Sequence, residues 1–183
     1  TTSTTIISGT LGEAVDAPDL TWRTYNSGTY DEQKQWFWQT ATTHDGSDAA
    51  QSGSISHNET SVMETTVEGP GTISFWWKVS SEANYDFLKF FIMDAETPYT
   101  VKLADSITGE ANWQQRSLYV PSGLHTLQWW YSKDLSVNSG ADRGWVDQVS
   151  WIPGGVPPAT PVYRFLSPIK GHHFYTISEA EKR

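Results

Sequence analysis

The sequence predicts an all-β protein, an antiparallel two-sheet β-sandwich of jelly-roll type. From Leu20 onward, short runs of alternating apolar and polar residues are separated by turn residues, the pattern of half-buried strands. No window keeps apolar residues at the helical period for three turns. Regular strand and turn spacing of this kind is typical of sandwiches.

The elements follow in order along the chain. Residues 1–10 are rich in Thr and Ser and predict a linker or edge segment, and residues 11–19 predict one helical turn limited by Pro18. Turn signals include Asp45-Gly46, Pro121-Ser122-Gly123 and Gly69-Pro70-Gly71, and the last of these predicts a hairpin. Between the turns, strands are predicted over residues 20–25, 35–40, 49–55, 61–67, 71–80, 86–94, 99–104, 113–120, 124–133 and 144–152.

The chain divides into a main module and a tail. Residues 11–152 form the predicted sandwich, and residues 153–161 hold four prolines and two glycines, which predicts an extended linker. Residues 162–183 contain two short alternating runs and then a helix-capping pattern at Ser178 to Glu181. Twenty-two residues cannot form a core of their own, so we interpret them as the truncated start of a second module.

Ten tryptophans, several of them adjacent, are the most informative residues. Successive side chains of a strand point to opposite faces, so Trp77 is predicted to enter the core while Trp76 faces outward. Trp129 and Trp130 divide in the same way. The outward rings are either covered by a second layer or used to bind a flat apolar partner such as a sugar ring. The predicted core comprises Phe75, Trp77, Phe87, Phe90, Ile92, Leu118, Leu127, Trp129, Val146 and Val149.

Composition excludes several function classes. The net charge is −9 and the 12 basic residues are scattered, which argues against nucleic acid as a partner. The absence of cysteine excludes disulfides and thiolate metal sites. No apolar run is long enough for a membrane span. The excess of Thr, Ser, Gly, Trp and Tyr is typical of secreted, extracellular β-modules.

Four sequence blocks resemble a jelly-roll module of secreted multidomain bacterial proteins. The blocks are residues 43–53, 69–81, 131–134 and 142–149. The module is similar in layout to the MAM-type adhesion domain and to calcium-bearing jelly-roll carbohydrate-binding modules. Residues 162–165 and 171–176 resemble the opening of a small aromatic repeat module that follows catalytic domains in exported bacterial enzymes.

The resemblance implies a structural Ca²⁺ ion held by Asp147 in the last strand together with acids near the N-terminus. Calcium takes six to eight oxygen ligands, and the candidates are Glu13, Asp16, Asp19, Asp45, Asp48 and Asp147. Many relatives carry two adjacent acids where this chain has Asp147-Gln148, so one carboxylate is missing here. The alternative is that Asp147 bonds a neighbouring amide or pairs with Arg143.

Two function classes remain open. The first is a non-catalytic carbohydrate-binding module that keeps a secreted enzyme near a polysaccharide or oligosaccharide, with the enzyme's other domains as further partners. Its candidate glycan contacts are Trp36, Trp38, Trp76, Gln128, Trp130, Tyr131, Asp134 and Arg143. The second is a structural or adhesive spacer with a protein partner and covered tryptophans. An enzyme is not predicted, because neither a nucleophile-elbow spacing nor an H-E-x-x-H motif occurs. A pair of carboxylates at glycosidase separation stays open as an alternative, although the acids cluster in turns and not in the middle of strands.

Overall fold

The computed structural model describes residues 9–96, 101–155, 163–166 and 173–176. In the described part, helix is confined to short segments and strands dominate, which confirms the all-β prediction. The elements are α1 (Leu11–Ala14), β1 (Trp22–Asn26), a 3₁₀ turn (Glu32–Lys34), β2 (Phe37–Gln39), β3 (Ala49–Gln51), β4 (Thr60–Ser80), β5 (Phe87–Asp94), β6 (Val101–Thr108), β7 (Glu110–Ser132), β8 (Arg143–Pro153), β9 (Tyr163–Leu166) and β10 (His173–Thr176).

Two long strands organise the sandwich. β4 spans 21 residues and β7 spans 23, and they pair antiparallel along almost their whole length. Sheet A consists of β1, residues 60–69 of β4, residues 124–132 of β7, β5 and β6. Sheet B consists of β2, β3, β8, residues 71–80 of β4 and residues 110–120 of β7. One hydrogen-bonded sheet therefore folds over itself into two layers.

The bend between the layers corrects a sequence prediction. Gly69-Pro70-Gly71 was predicted to reverse the chain, but β4 runs through this segment and only its register shifts there. Pro121 to Gly123 is the matching bend in β7, also predicted as a turn. A Cβ atom at Gly69 would overlap the carbonyl oxygen of Pro121, so glycine lets the two bent strands approach closely. Residues 69–71 do interrupt the regular pairing of the strand, but the predicted hairpin was wrong.

The core lies between the two layers and is rich in aromatic rings. Phe75 of sheet B lies 4.8 Å from Phe90 and 5.3 Å from Trp129 of sheet A, measured between ring centroids. All three side chains are fully buried, as predicted. Trp77, Leu127, Val146 and Val149 are buried as well. Three predicted core residues are only partly buried, namely Phe87, Ile92 and Leu118.

The N-terminal segment closes one side of the sandwich. Thr10 caps α1 through a reciprocal capping box with Glu13. Val149 of β8 donates a backbone hydrogen bond to Val15, at 2.7 Å, which fixes the segment after α1 against sheet B. On the opposite side, Arg116 of sheet B bonds Asp105 of sheet A.

The tail contains the hairpin of β9 and β10, paired antiparallel from Tyr163 opposite Thr176 to Leu166 opposite His173. Of the predicted linker, residues 153–155 are described and Pro153 is the last residue of β8, while residues 156–161 and the rest of the tail lie outside the described residues, so the domain boundaries stay predictions. Among the described residues, no helix has the length and apolarity that a bilayer crossing requires.

Candidate functional site

A connected polar and aromatic cluster occupies the outer face of sheet A. The register places Tyr25, Val62 and Trp130 in one row across β1, β4 and β7. The next row contains Glu64 and Gln128. We call Tyr25, Glu64, Gln128 and Trp130 the sheet A cluster.

Hydrogen bonds fix these four side chains relative to one another. Gln128 Nε2 donates to Glu64 Oε2 at 2.7 Å and to the Tyr25 hydroxyl at 3.0 Å. The Trp130 indole N–H donates to Gln128 Oε1 at 2.8 Å, and the Tyr25 hydroxyl lies 3.3 Å from Glu64 Oε2. Such a network holds both rings in defined orientations before any ligand arrives.

The cluster combines ring surface with a negative charge. Tyr25 is 39% exposed and Trp130 is partly exposed. Phe91 packs behind Trp130 with the ring centroids 4.6 Å apart. Burial, together with the nearby Glu64 carboxylate, raises the pKa of Tyr25 to about 12, and the hydroxyl proton is directed at Glu64 Oε2.

The other predicted glycan contacts do not lie on this face. Trp36 is buried at 2% exposure and Tyr131 at 0%, so neither has an open face for stacking. Trp38 packs against the core and donates its indole N–H to Asp48 at 2.7 Å. Trp76 does point outward on sheet B, but the His44 ring stacks on it at 3.7 Å. Trp36 and Tyr131 are therefore set aside because their rings are buried, whereas Trp38 and Trp76 are partly exposed and belong to strands of sheet B.

The last two predicted contacts sit at the end of the sandwich where the loops meet. Asp134 donates its backbone N–H to Asp86 Oδ1 at 2.9 Å. Arg143 bonds the carbonyl oxygen of Asp142 at 2.6 Å. Neither lies beside Trp130, so the structure brings together only Gln128 and Trp130 of the eight predicted contacts. Sequence analysis missed Tyr25 and Glu64, although the alternation in 22–26 puts Tyr25 opposite the inward Trp22.

A group of three carboxylates lies on the other side of the molecule. Asp16, Asp45 and Asp147 each place an oxygen within 4.8 Å of the other two. Asp147 is fully buried in β8, and its Oδ2 accepts the backbone N–H of His44 at 2.6 Å and of Asp45 at 3.3 Å. These bonds hold the 43–48 loop against the middle of β8.

The donor set fits a hard cation such as Ca²⁺. Asp147 Oδ1 is buried without a hydrogen-bond partner, an arrangement that calls for a proton or a metal ion. Burial raises the pKa of Asp147, and burial followed by the Asp45 and Asp48 charges raises the pKa of Asp16. A cation would relieve this mutual repulsion.

Two acids predicted for the same ion are engaged elsewhere. Glu13 accepts from the backbone N–H and the hydroxyl of Thr10, and these bonds hold its pKa below the usual range. Asp48 accepts the Trp38 indole N–H. Of the six predicted acids, Asp16, Asp45 and Asp147 form the group, and Asp19 does not belong to it.

Neither a family model nor a curated protein sequence matches this chain. Solved structures do. The K1 cleaved adhesin domain of Lys-gingipain from Porphyromonas gingivalis matches with a TM-score of 0.54 and 16% identity, over 73% of this chain and 91% of that one. This chain shares its fold.

The secreted serine protease VesC from Vibrio cholerae matches with a TM-score of 0.51 and 15% identity, over 68% of this chain and 24% of VesC. The chain thus spans about a quarter of VesC. A family 11 carbohydrate-binding module from Clostridium thermocellum matches with a TM-score of 0.42 and 12% identity, over 72% and 88%, and a TM-score this low carries no argument. Identities of this size show a fold and no ligand, so the MAM-type and aromatic-repeat resemblances stay predictions.

Proposed function

We propose that this protein is a non-catalytic carbohydrate-binding module of a secreted protein, and that the sheet A cluster binds the glycan. The observation that carries the proposal is the hydrogen-bonded set of Tyr25, Glu64, Gln128 and Trp130 on an outer sheet face. It joins two ring systems to polar groups whose positions are already fixed.

Each member has a chemical part in this proposal. The rings of Tyr25 and Trp130 lie two strands apart in one row, about 10 Å at ordinary strand spacing, so a glycan chain laid across the strands meets both. The C–H face of a pyranose packs on such rings. Both bonds to Glu64 end on Oε2, and we assign Oε1 to a ligand hydroxyl. Polysaccharide and oligosaccharide are the proposed partners, with other domains of the parent protein.

We further propose a structural Ca²⁺ ion at Asp16, Asp45 and Asp147. The support is the buried, unpartnered Oδ1 of Asp147 within a group of three carboxylates. The ion would join the segment after α1, the 43–48 loop and β8. It lies on the opposite side of the sandwich from the sheet A cluster, so its role is stability and not glycan contact.

The test is a titration with a panel of soluble polysaccharides, followed by tryptophan fluorescence and affinity electrophoresis. Wild type is expected to shift in emission and to be retarded by at least one glycan, and Tyr25→Ala to lose most of the retardation. Tyr30→Ala is the matched control, because Tyr30 is 74% exposed and lies outside the cluster. Equal retardation of both variants would place the glycan elsewhere.

The rival function is a structural or adhesive domain with a protein partner. One observation favours it: no tryptophan is among the exposed large side chains, although all ten lie in the described residues. The shared fold with a cleaved adhesin domain is compatible with it. A panel that gives neither an emission shift nor retardation with any glycan would favour this function over carbohydrate binding.

A further inference from the structure

A cavity of about 490 Å³ lies between the two layers of the sandwich, on the side where β6 is the last strand of sheet A. Sheet A contributes Ile92 of β5 and Ala104 of β6 to its lining, and sheet B contributes Leu118 of β7. Leu103 and Pro121 complete the apolar part of the lining. The volume is within the range of about 300–1,000 Å³ that is ordinary for small-molecule sites.

The cavity forms because β6 and the first half of β7 are not joined by hydrogen bonds. In the described part of the chain, β6 pairs with β5, and residues 110–120 of β7 pair with β4. The ion pair of Arg116 with Asp105 bridges the two layers. Toward the β7 bend, the next lining residues are Ala104 and Leu118, whose side chains do not fill the space between the layers.

The lining also contains a buried polar side chain. His125 is 8% exposed and faces the inner side of sheet A, as do Leu127 and Trp129 further along β7. Its Nε2 lies 3.2 Å from the Ser122 carbonyl oxygen, which can only accept, so Nε2 carries a proton. In the neutral ring Nδ1 then has a lone pair, and this atom is buried without a hydrogen-bond partner. A buried acceptor without a donor is costly, and a ligand that brings a donor removes this cost.

The remaining lining side chains favour a neutral ligand. Asp94 and Lys102 are the charged ones, and they have opposite signs and are both exposed. Neither an anion nor a cation is therefore selected by the net charge of the lining. Facing sheets are about 10 Å apart at ordinary packing, so the space between their side chains suits a flat molecule.

We propose that this cavity binds a small neutral phenol, with its ring between Ala104 and Leu118 and its hydroxyl group donating to His125 Nδ1. A phenol combines a flat apolar body with one hydrogen-bond donor, and so matches both the aliphatic lining and the unpartnered imidazole nitrogen. The cavity lies between the layers, whereas the sheet A cluster lies on an outer face. The inference therefore goes beyond the proposed glycan site and does not depend on it.

The experiment is a nuclear magnetic resonance titration of the whole 183-residue chain with 4-propylphenol and with its methyl ether, 4-propylanisole. The two probes share an apolar body, but only the phenol has a hydroxyl donor. Wild type is expected to bind one phenol per chain, with shifts centred on Ala104, Leu118 and His125. The ether is expected to bind about five- to tenfold more weakly, the ratio that one ordinary hydrogen bond gives.

Variants locate the binding and identify the donor's partner. His125→Phe keeps a ring at this position but removes Nδ1, so it is expected to bind the phenol and the ether with equal affinity. Ala104→Leu fills part of the cavity and is expected to lose saturable binding of both probes. Ala41→Leu is the matched control, because it makes the same change at an exposed position and should bind both probes as wild type does.

Three results overturn the proposal: no saturable binding of either probe to wild type, equal affinity of wild type for both probes, and unchanged binding in Ala104→Leu. If His125→Phe fails to fold, the comparison of the two probes on wild type and the two alanine variants still decide. An acetylated and amidated Gly-Tyr-Gly peptide separates a free phenol from a protein tyrosine. Tighter binding of this peptide than of 4-propylphenol would overturn a free phenol as the ligand.

Discussion

Asp147→Asn isolates the electrostatic role of the Asp147 group, that is, the carboxylates of Asp16, Asp45 and Asp147. Asparagine has the shape of aspartate and keeps an oxygen for the His44 and Asp45 backbone donors. It removes a fully buried negative charge that lies beside Asp16 and Asp45. Without calcium, the substitution should leave stability equal to or above that of wild type, because the repulsion among three carboxylates is reduced.

With calcium, wild type should be more stable than Asp147→Asn. An ion present at about 1,000 times its dissociation constant stabilises the folded state by about 4 kcal/mol. For a domain of about 150 residues, each kcal/mol raises Tm by roughly 2–4 °C. Wild type should therefore gain about 8–16 °C on addition of CaCl₂ through this site, and Asp147→Asn should gain almost nothing.

The assay is thermal unfolding at pH 7 in excess chelator and then in CaCl₂. The parent of Asp147→Asn in this comparison is wild type. Asp31→Asn is the control, since asparagine caps the 3₁₀ turn at Glu32 as well as aspartate does. An equal calcium gain in Asp147→Asn and its parent, or no gain in the parent, refutes the assignment of the ion to this group.

Four further predictions concern the pH dependence of stability, the core ring of Trp129, the bend at Gly69 and the buried Lys133. In chelator, the raised pKa values of Asp147 and Asp16 mean that the folded state binds protons more tightly than the unfolded state. This stabilising contribution is therefore fully present below the ordinary aspartate pKa of about 3.9 and is lost as pH rises through the folded-state pKa. Urea unfolding of wild type against Asp147→Asn at several pH values measures it, and parallel pH curves for the two proteins would contradict it. Trp129→Ala should cost about 3–5 kcal/mol in the same assay, because the ring is fully buried; a loss under 1 kcal/mol would argue against the packed core. Gly69→Ala should cost about 1–3 kcal/mol through overlap with the β7 bend, and an unchanged Tm would contradict the close approach of the β4 and β7 bends. Lys133→Met should cost about 3–5 kcal/mol at neutral pH by leaving buried carboxylates unpaired, and a neutral effect in denaturant unfolding would contradict the ion pairs with Asp86 and Asp142.

Alternation along single strands predicted most of the fold. It placed Trp77 and Trp129 in the core and Trp76 and Trp130 on outer faces, as the structure has them. A hairpin was predicted at Gly69 where the structure has a bend, because glycine and proline mark any break in a strand. Whether the chain reverses or continues into the other layer depends on the pairing of β4 with β7. The residues around Gly69 alone do not predict that long-range pairing.

Long-range pairing also limits what the sequence predicts about the sheet A cluster and the Asp147 group. Tyr25 and Gln128 are 103 residues apart and meet only because β1 and β7 both flank β4. Alternation in 22–26 places Tyr25 on the outer face, but no local pattern encodes the register that brings it to Glu64 and Gln128. The Asp147 prediction came from resemblance, and the structure brings Asp16 and Asp45 to it while Glu13 is retained by the cap of its own helix.

The central claim is that the sheet A cluster binds a glycan, and its most direct test is a nuclear magnetic resonance titration of the labelled protein with an oligosaccharide from the retained polysaccharide. The Trp130 indole N–H and the backbone signals of Tyr25, Glu64 and Gln128 should shift together and saturate at one ligand per chain. The His44 and Trp76 region on sheet B should not move. Saturable shifts confined to sheet B, or to the loops around Asp134, would contradict the account.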